Sequence, residues 1–241
     1  YGTDQTDRIG GANGGMNRLI LGDGGTLALA GDKTDISADF YDRTFFVGLN
    51  GNGVMEVENG GVFEGRLQVG GCAESTSDGK CTYGVGSVFQ RGGTVTAYGI
   101  GHNNYRGSSG IGGYAGTTPG SYSLSGGSFF ARGCFTVGFY DVGGVFDQTG
   151  GYSAFSNVTV STSDVGAVLL LGATNKGSGA VRVKDSKMDI YGQISMCQSF
   201  SGAARSDLIV DGETAEVDTH DKDRIYMIRN TPGVNYLVQA T

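Results

Sequence analysis

The chain has 241 residues and a formal net charge of −7; glycine supplies 46 of them, against 2 prolines and no tryptophan. That is nearly three times the average glycine usage of roughly 7%, yet 38% of residues are hydrophobic, which argues against a disordered chain. The 17 basic residues form no stripe for a nucleic acid, the acidic balance gives no attraction to an anionic membrane, and no apolar run approaches the ~20 residues of a bilayer-spanning helix.

The chain opens at Tyr1, with neither an initiator methionine nor a signal peptide, which points to a processed product or an excerpt. Apolar residues then come in short clusters. NRLILGDG (17–24) is followed by TLALA (26–30) and by a polar stretch over 31–43. GVMEVENG (53–60) leads to a run ending at Leu67 and Val69 before Gly70, and 71–85 is again polar. GSVFQRGG (86–93) and TVTAYG (94–99) come next, with Tyr98 and Ile100 before Gly101, and 102–119 forms a third polar stretch. GSYSLSGG (120–127), SFFARG (128–133) and the pair Phe135/Val137 before Gly138 follow. GVFDQTGG (144–151) precedes Val158/Val160, and GAVRVKDS (179–186) precedes Ile194/Met196 before Cys197. SDLIVDGE (206–213) is the last copy, and VNYLVQAT (234–241) reads as one more strand. Shorter insertions are expected at 170–178 and 198–205.

Seven of these segments share one frame, alternating positions that run into a turn. The alternating pairs are Leu19/Leu21, Met55/Val57, Val88/Gln90, Tyr122/Leu124, Phe146/Gln148, Val181/Val183 and Leu208/Val210. Their period of two is that of a strand. The first turn position holds Asp23, Asn59, Gly92, Gly126, Gly150, Asp185 and Gly212. Glycine, asparagine and aspartate enter the left-handed region most readily, so the frame predicts a corner with positive φ at most of these positions. Successive corners are 36, 33, 34, 24, 35 and 27 residues apart. A unit of about two dozen residues, lengthened by insertions near 31–43, 71–85 and 102–119, predicts a β-solenoid whose neighbouring coils complete one another's core. A sandwich with glycine-rich turns would not usually repeat one turn chemistry at the same point of seven segments.

The run from GSYSLSGG through GGYSAFSNVTVS (120–161) resembles the glycine-rich β-strand repeats of bacterial autotransporter passengers and related surface proteins, with the likeness best over 44–161. The resemblance implies a secreted or cell-surface right-handed parallel β-helix, a style of repeat found in adhesins, matrix and envelope proteins. The expected fold is therefore all-β, a right-handed parallel β-helix of about seven coils in a single domain over 1–241.

Parallel β-helices also house polysaccharide lyases and hydrolases, whose sites need grouped carboxylates on an outer strand face, often with a basic residue or calcium. Asp32, Asp35, Asp39 and Asp42 are irregularly spaced and match no calcium loop; they read as a solvated acidic loop. Asp211, Glu213, Glu216, Asp218, Asp221 and Asp223 surround His220, with Lys222 and Arg224 interleaved, and read as a charge-balanced surface. His102 with Asn103, Asn104, Tyr105 and Arg106 suits sugar contact and equally an ordinary loop. Asn157-Val-Thr159 fits a glycosylation acceptor but lies in an expected strand. Cys72 and Cys81 flank an eight-residue loop that a disulfide can staple for about 3 kcal/mol or slightly less. Cys134 and Cys197 both point outward in this frame, two coils or roughly 9–10 Å apart, beyond the ~7 Å Cα limit for bridging.

No catalytic residue, cofactor or metal is assigned. The expected function is an extracellular or cell-surface structural or adhesive rod, with homotypic end-to-end contacts and surface glycans as partners and neither nucleic acid nor membrane insertion. A carbohydrate-active enzyme or glycan-binding module on the same scaffold is the alternative.

Overall fold

Apolar residues at period two, closed off by glycine at each end, break the chain into short extended pieces. The computed structural model describes residues 8–9, 16–29, 44–48, 51–70, 84–99, 109–112, 119–139, 143–156, 167–173, 177–196, 205–220, 225–227 and 234–240, and its elements there are all strands. They fall into three stacks. The first holds β2 (Met16–Leu21), β5 (Asn52–Val57), the first halves of β7 (Gly86–Tyr98) and β9 (Gly120–Arg132), β11 (Gly143–Gln148), β14 (Ser178–Lys184), β17 (Arg205–Asp211) and β20 (Val234–Ala240). The second holds β3 (Thr26–Ala28), the first half of β6 (Val62–Val69), the second halves of β7 and β9, β12 (Tyr152–Ser156), β15 (Lys187–Tyr191) and β18 (Glu216–Thr219). The third holds β1 (Arg8–Ile9), β4 (Thr44–Val47), the second half of β6, β8 (Ser109–Ile111), β10 (Phe135–Phe139), β13 (Ala167–Ala173), β16 (Gln193–Met196) and β19 (Ile225–Met227). The chain visits the three stacks in turn and every pairing is parallel. Each three-strand pass therefore lies against the pass before and the pass after, an arrangement that fits the solenoid-like class.

The pairing aligns the seven sequence segments residue for residue. Leu19, Met55, Val88, Tyr122, Phe146, Val181 and Leu208 form one ladder, and Leu21, Val57, Gln90, Leu124, Gln148, Val183 and Val210 a second. Both face the interior, where Tyr122, Phe129, Phe135, Phe146 and Phe155 make an aromatic cluster with ring centroids 5.0–6.5 Å apart. The two glutamines are fully buried and their amides are satisfied, as a dry interior requires. Gln90 Nε2 donates to the Ser128 carbonyl at 2.9 Å and its Oε1 accepts from the Tyr122 hydroxyl at 2.6 Å. Gln148 Nε2 donates to the Lys187 carbonyl at 2.9 Å and its Oε1 accepts from Ser153 at 2.7 Å. The amides thus tie one pass to the next at the corner.

Glycine serves close approach as well as turning. Gly86, Gly120, Gly144 and Gly179 stack in register where the third face meets the first. A Cβ on each would overlap a backbone carbonyl oxygen, that of Val47, Val69, Ile111 and Val137 in turn. The next residue of the column is Ser206, and its hydroxyl donates to the equivalent carbonyl, that of Leu171, at 2.6 Å.

Several expectations shift. Positive φ falls on Asp23 (49°), Asp185 (47°) and Gly212 (101°) themselves, but one residue after Asn59, Gly92, Gly126 and Gly150, on Gly60, Gly93, Gly127 and Gly151. In those four segments the second of two adjacent turn residues, always glycine, takes the left-handed conformation, whereas at Asp23–Gly24 both do. Tyr98 lies in the second stack, and the third-stack strand of that pass is β8, with Ser109 and Ile111 before Gly112. The polar stretch over 102–119 thus contains a strand. Two passes on, β13 supplies Leu169 and Leu171 before Gly172 and reaches into the first part of the expected insertion at 170–178, while Val158 and Val160 lie outside the described residues. Cys134 is buried, at 2% exposure, rather than presented to solvent. Cys72, Cys81 and Cys197 lie outside the described residues, as does all of 31–43. Among the described residues no helix is long and apolar enough to cross a membrane.

Candidate functional site

The outer face of the second stack gathers chemistry that the sequence keeps far apart. Register aligns three outward columns across β9, β12, β15 and β18: Ser128, Tyr152, Lys187 and Glu216; Phe130, Ala154, Asp189 and Asp218; Arg132, Ser156 and Tyr191. His220 continues the third column just past β18, its amide donating to the Ile190 carbonyl at 3.1 Å. The alternate residues Phe129, Ser153, Phe155, Met188 and Ile190 are fully buried in the core. This alternation fixes which side chains look outward.

Asp189 sits at the centre. It points away from the core, yet its neighbours on adjacent passes cover it to 5% exposure. The Tyr152 hydroxyl donates to its Oδ2 at 2.6 Å. Its Oδ1 lies 3.4 Å from Lys187 Nζ and 3.4 Å from His220 Nε2, is shut off from solvent, and makes no hydrogen bond. His220 Nε2 is 3.8 Å from Asp218 Oδ2, and Lys187 Nζ is 3.7 Å from Glu216 Oε1. The imidazole lies flat on the Tyr191 ring, with centroids 4.1 Å apart and planes 6° from parallel. Asp189, Asp218 and His220 each offer one ligand atom, all within 4.8 Å of one another.

The electrostatics follow from this packing. Burial alone would raise the Asp189 carboxyl, but the Tyr152 hydroxyl and the Lys187 ammonium outweigh it and hold the group below the usual aspartate value. Tyr152 is pushed up, first by burial and then by the carboxylate it faces. Lys187 is raised by Asp189 and Glu216. At neutral pH the cluster is a carboxylate held by a neutral phenol and a charged ammonium.

A second polar group lies on the outer face of the first stack. Arg18 donates to both oxygens of Glu56 at 2.7 Å, and Arg91 donates to Glu56 at 3.2 Å and to Glu58 at 2.7 Å. These pairs link three consecutive passes, with Arg18 drawing the Glu56 carboxyl below its usual value. Every acid here has its arginine, so the group reads as a clamp.

Of the residues singled out in sequence, Glu216, Asp218 and His220 reach the cluster. Asp211 instead accepts from Arg182 at 2.7 Å, and Glu213 is exposed in the turn that follows. Asp32, Asp35, Asp39, Asp42, His102, Asn103, Asn104, Tyr105, Arg106, Asn157, Asp221, Lys222, Asp223 and Arg224 lie outside the described residues. Tyr152, Lys187, Asp189 and Tyr191 were missed; the one available signal is that extending the repeat frame past each corner puts them in register with 216–220. No known family profile matches the chain, and neither a curated protein nor a solved structure does.

Proposed function

We propose that this chain is an extracellular structural or adhesive surface protein, a stiff right-handed parallel β-helix of about seven coils in one domain. The observation that carries the reading is the shared register of β5, the first halves of β7 and β9, β11, β14 and β17 around a continuous core. Such stacking makes a quasi-one-dimensional body suited to spacing and display. Sparse lysine, net acidity and an even cysteine count support an exterior location, and the repeat style resembles that of surface passengers. Its partners in this reading are surface glycans and other copies of the chain, met end to end.

The test is incubation with a panel of polysaccharides, assayed for new reducing ends and unsaturated products. No turnover is expected; turnover that vanishes in Asp189→Asn overturns the reading in favour of an enzyme. A glycan-binding role is the second reading, favoured by Tyr191, 47% exposed beside the carboxylates of β15 and β18. Retention on a glycan column without turnover is its signature.

A further inference from the structure

The sequence assigned no metal ligand, but three donors converge on the outer face of the second stack. We propose that Asp189 Oδ1, Asp218 Oδ2 and His220 Nε2 bind a divalent transition-metal ion of the zinc type, clamping two successive passes together. The strongest pointer is Asp189 Oδ1. It is a carboxylate oxygen shut away from water with no hydrogen bond, on a residue only 5% exposed, aimed at the gap between the imidazole and Lys187. That oxygen has the Lys187 ammonium as an ion-pair partner but no aligned hydrogen bond, so a cation in direct contact would satisfy it better than the present arrangement does.

The spacing suits such an ion. Zinc holds nitrogen and oxygen donors at about 2.0–2.2 Å in a tetrahedron, so its donors stand about 3.4 Å apart. The Asp189 Oδ1 to His220 Nε2 gap is 3.4 Å. The His220 Nε2 to Asp218 Oδ2 gap is 3.8 Å, and Asp218, with its side chain 38% exposed, has room to rotate inward. One imidazole and two carboxylates suit zinc, manganese, cobalt or nickel better than calcium or magnesium, which take all-oxygen sets. The outer contacts are in place as well. The Tyr152 hydroxyl occupies Oδ2 and leaves Oδ1 to the ion, and the Tyr191 ring holds the imidazole plane.

Lys187 is the competitor, since its ammonium lies 3.4 Å from the same oxygen. Its side chain is 45% exposed and Glu216 Oε1 is already 3.7 Å away, so an arriving ion has only to swing it across to Glu216. The proposal therefore makes opposite demands on two neighbours. Removing His220 weakens metal binding, and removing the Lys187 charge strengthens it.

The experiment is equilibrium dialysis and calorimetric titration of the whole chain with zinc chloride, and with magnesium and calcium chlorides as controls. It compares wild type, His220→Ala, Asp218→Asn and Lys187→Met, each checked for unchanged circular dichroism. Taking differences between variants removes any contribution from zinc held elsewhere. Expected are the loss of one zinc equivalent in His220→Ala, at least tenfold weaker binding in Asp218→Asn, and several-fold tighter binding in Lys187→Met. Cobalt should give visible absorption in wild type that His220→Ala lacks. Identical zinc stoichiometry and affinity in wild type and His220→Ala, or magnesium and calcium binding as tightly as zinc, overturns the proposal. Lys187→Met binding no tighter than wild type overturns the competitive placement of the ion on Asp189.

Discussion

Gln90 shows what a single polar residue does inside a stack of strands. Its side chain spans from the Tyr122 hydroxyl to the Ser128 carbonyl, joining a ladder residue to the corner of the next pass. Tyr122→Phe leaves the Gln90 Oε1 without its donor in a region water does not reach. A loss of about 1–3 kcal/mol is expected, read as a lower urea midpoint with an unchanged slope. Gly127→Ala combines two faults. It puts a side chain at φ 79° and drives a Cβ into the Gly92–Gly93 backbone. The conformational part alone costs roughly 1–2 kcal/mol, so the melting temperature should fall further than in Tyr122→Phe. Acid should also loosen the structure. Glu56 and Asp189 are both held below their ordinary values of 4.5 and 3.8. A carboxyl with a depressed folded value stabilises fully above its unfolded value, and the gain drains away as pH falls toward the folded one. Melting temperature should be flat near neutrality and decline below about pH 4.5, less steeply in Glu56→Gln.

At the scale of strands, the seven alternating pairs were legible because each carries its own corner, so alignment and register come together. The third-stack strands carry only two apolar positions and a small residue, a pattern that recurs by chance in a chain this rich in glycine. Tyr98 with Ile100 satisfied it locally, but the place belongs to β8, whose Ser109 is not apolar at all. Ser109 is buried because its hydroxyl accepts from the Leu67 amide at 2.9 Å and donates to the Tyr98 carbonyl at 2.6 Å. Ser109→Ala removes both bonds. It should cost about 1–3 kcal/mol and speed hydrogen exchange at the Leu67 amide, whereas an exchange rate equal to wild type counts against this role. The Asp189 cluster stayed hidden for a related reason: its members lie on β12, β15, β18 and the residue just past β18, and contact between them depends on passes whose lengths differ.

For the molecule as a whole, the proposed end-to-end contact turns on the strand edges left open. Among the described residues β1, β2 and β3 at one end and β18, β19 and β20 at the other are paired on one edge only. β2 also leaves Met16 71% and Ile20 53% exposed. An unpaired edge with apolar side chains is a template for another strand, which supports the end-to-end contacts proposed above. Light scattering over a concentration series should show apparent mass rising with concentration, and Ile20→Lys should suppress the rise. A single unchanging monomer mass in the wild type removes end-to-end contact from the reading.

The glycine column at Gly86, Gly120, Gly144 and Gly179 has a mechanical consequence. With no side chains between them, neighbouring passes meet there backbone to backbone, while the corner on the opposite side of the first stack is bridged by the longer reach of Gln90 and Gln148. A load pulling one end away from the body would first meet the outermost pass alone, since each pass grips only its neighbours. Yielding would then proceed in quanta, each releasing one pass. For the pass between Asp185 and Gly212, 27 residues long, that is about 90 Å of slack at ~3.4 Å per residue. A stack built this way gives ground in steps under tension, and the remaining passes stay paired.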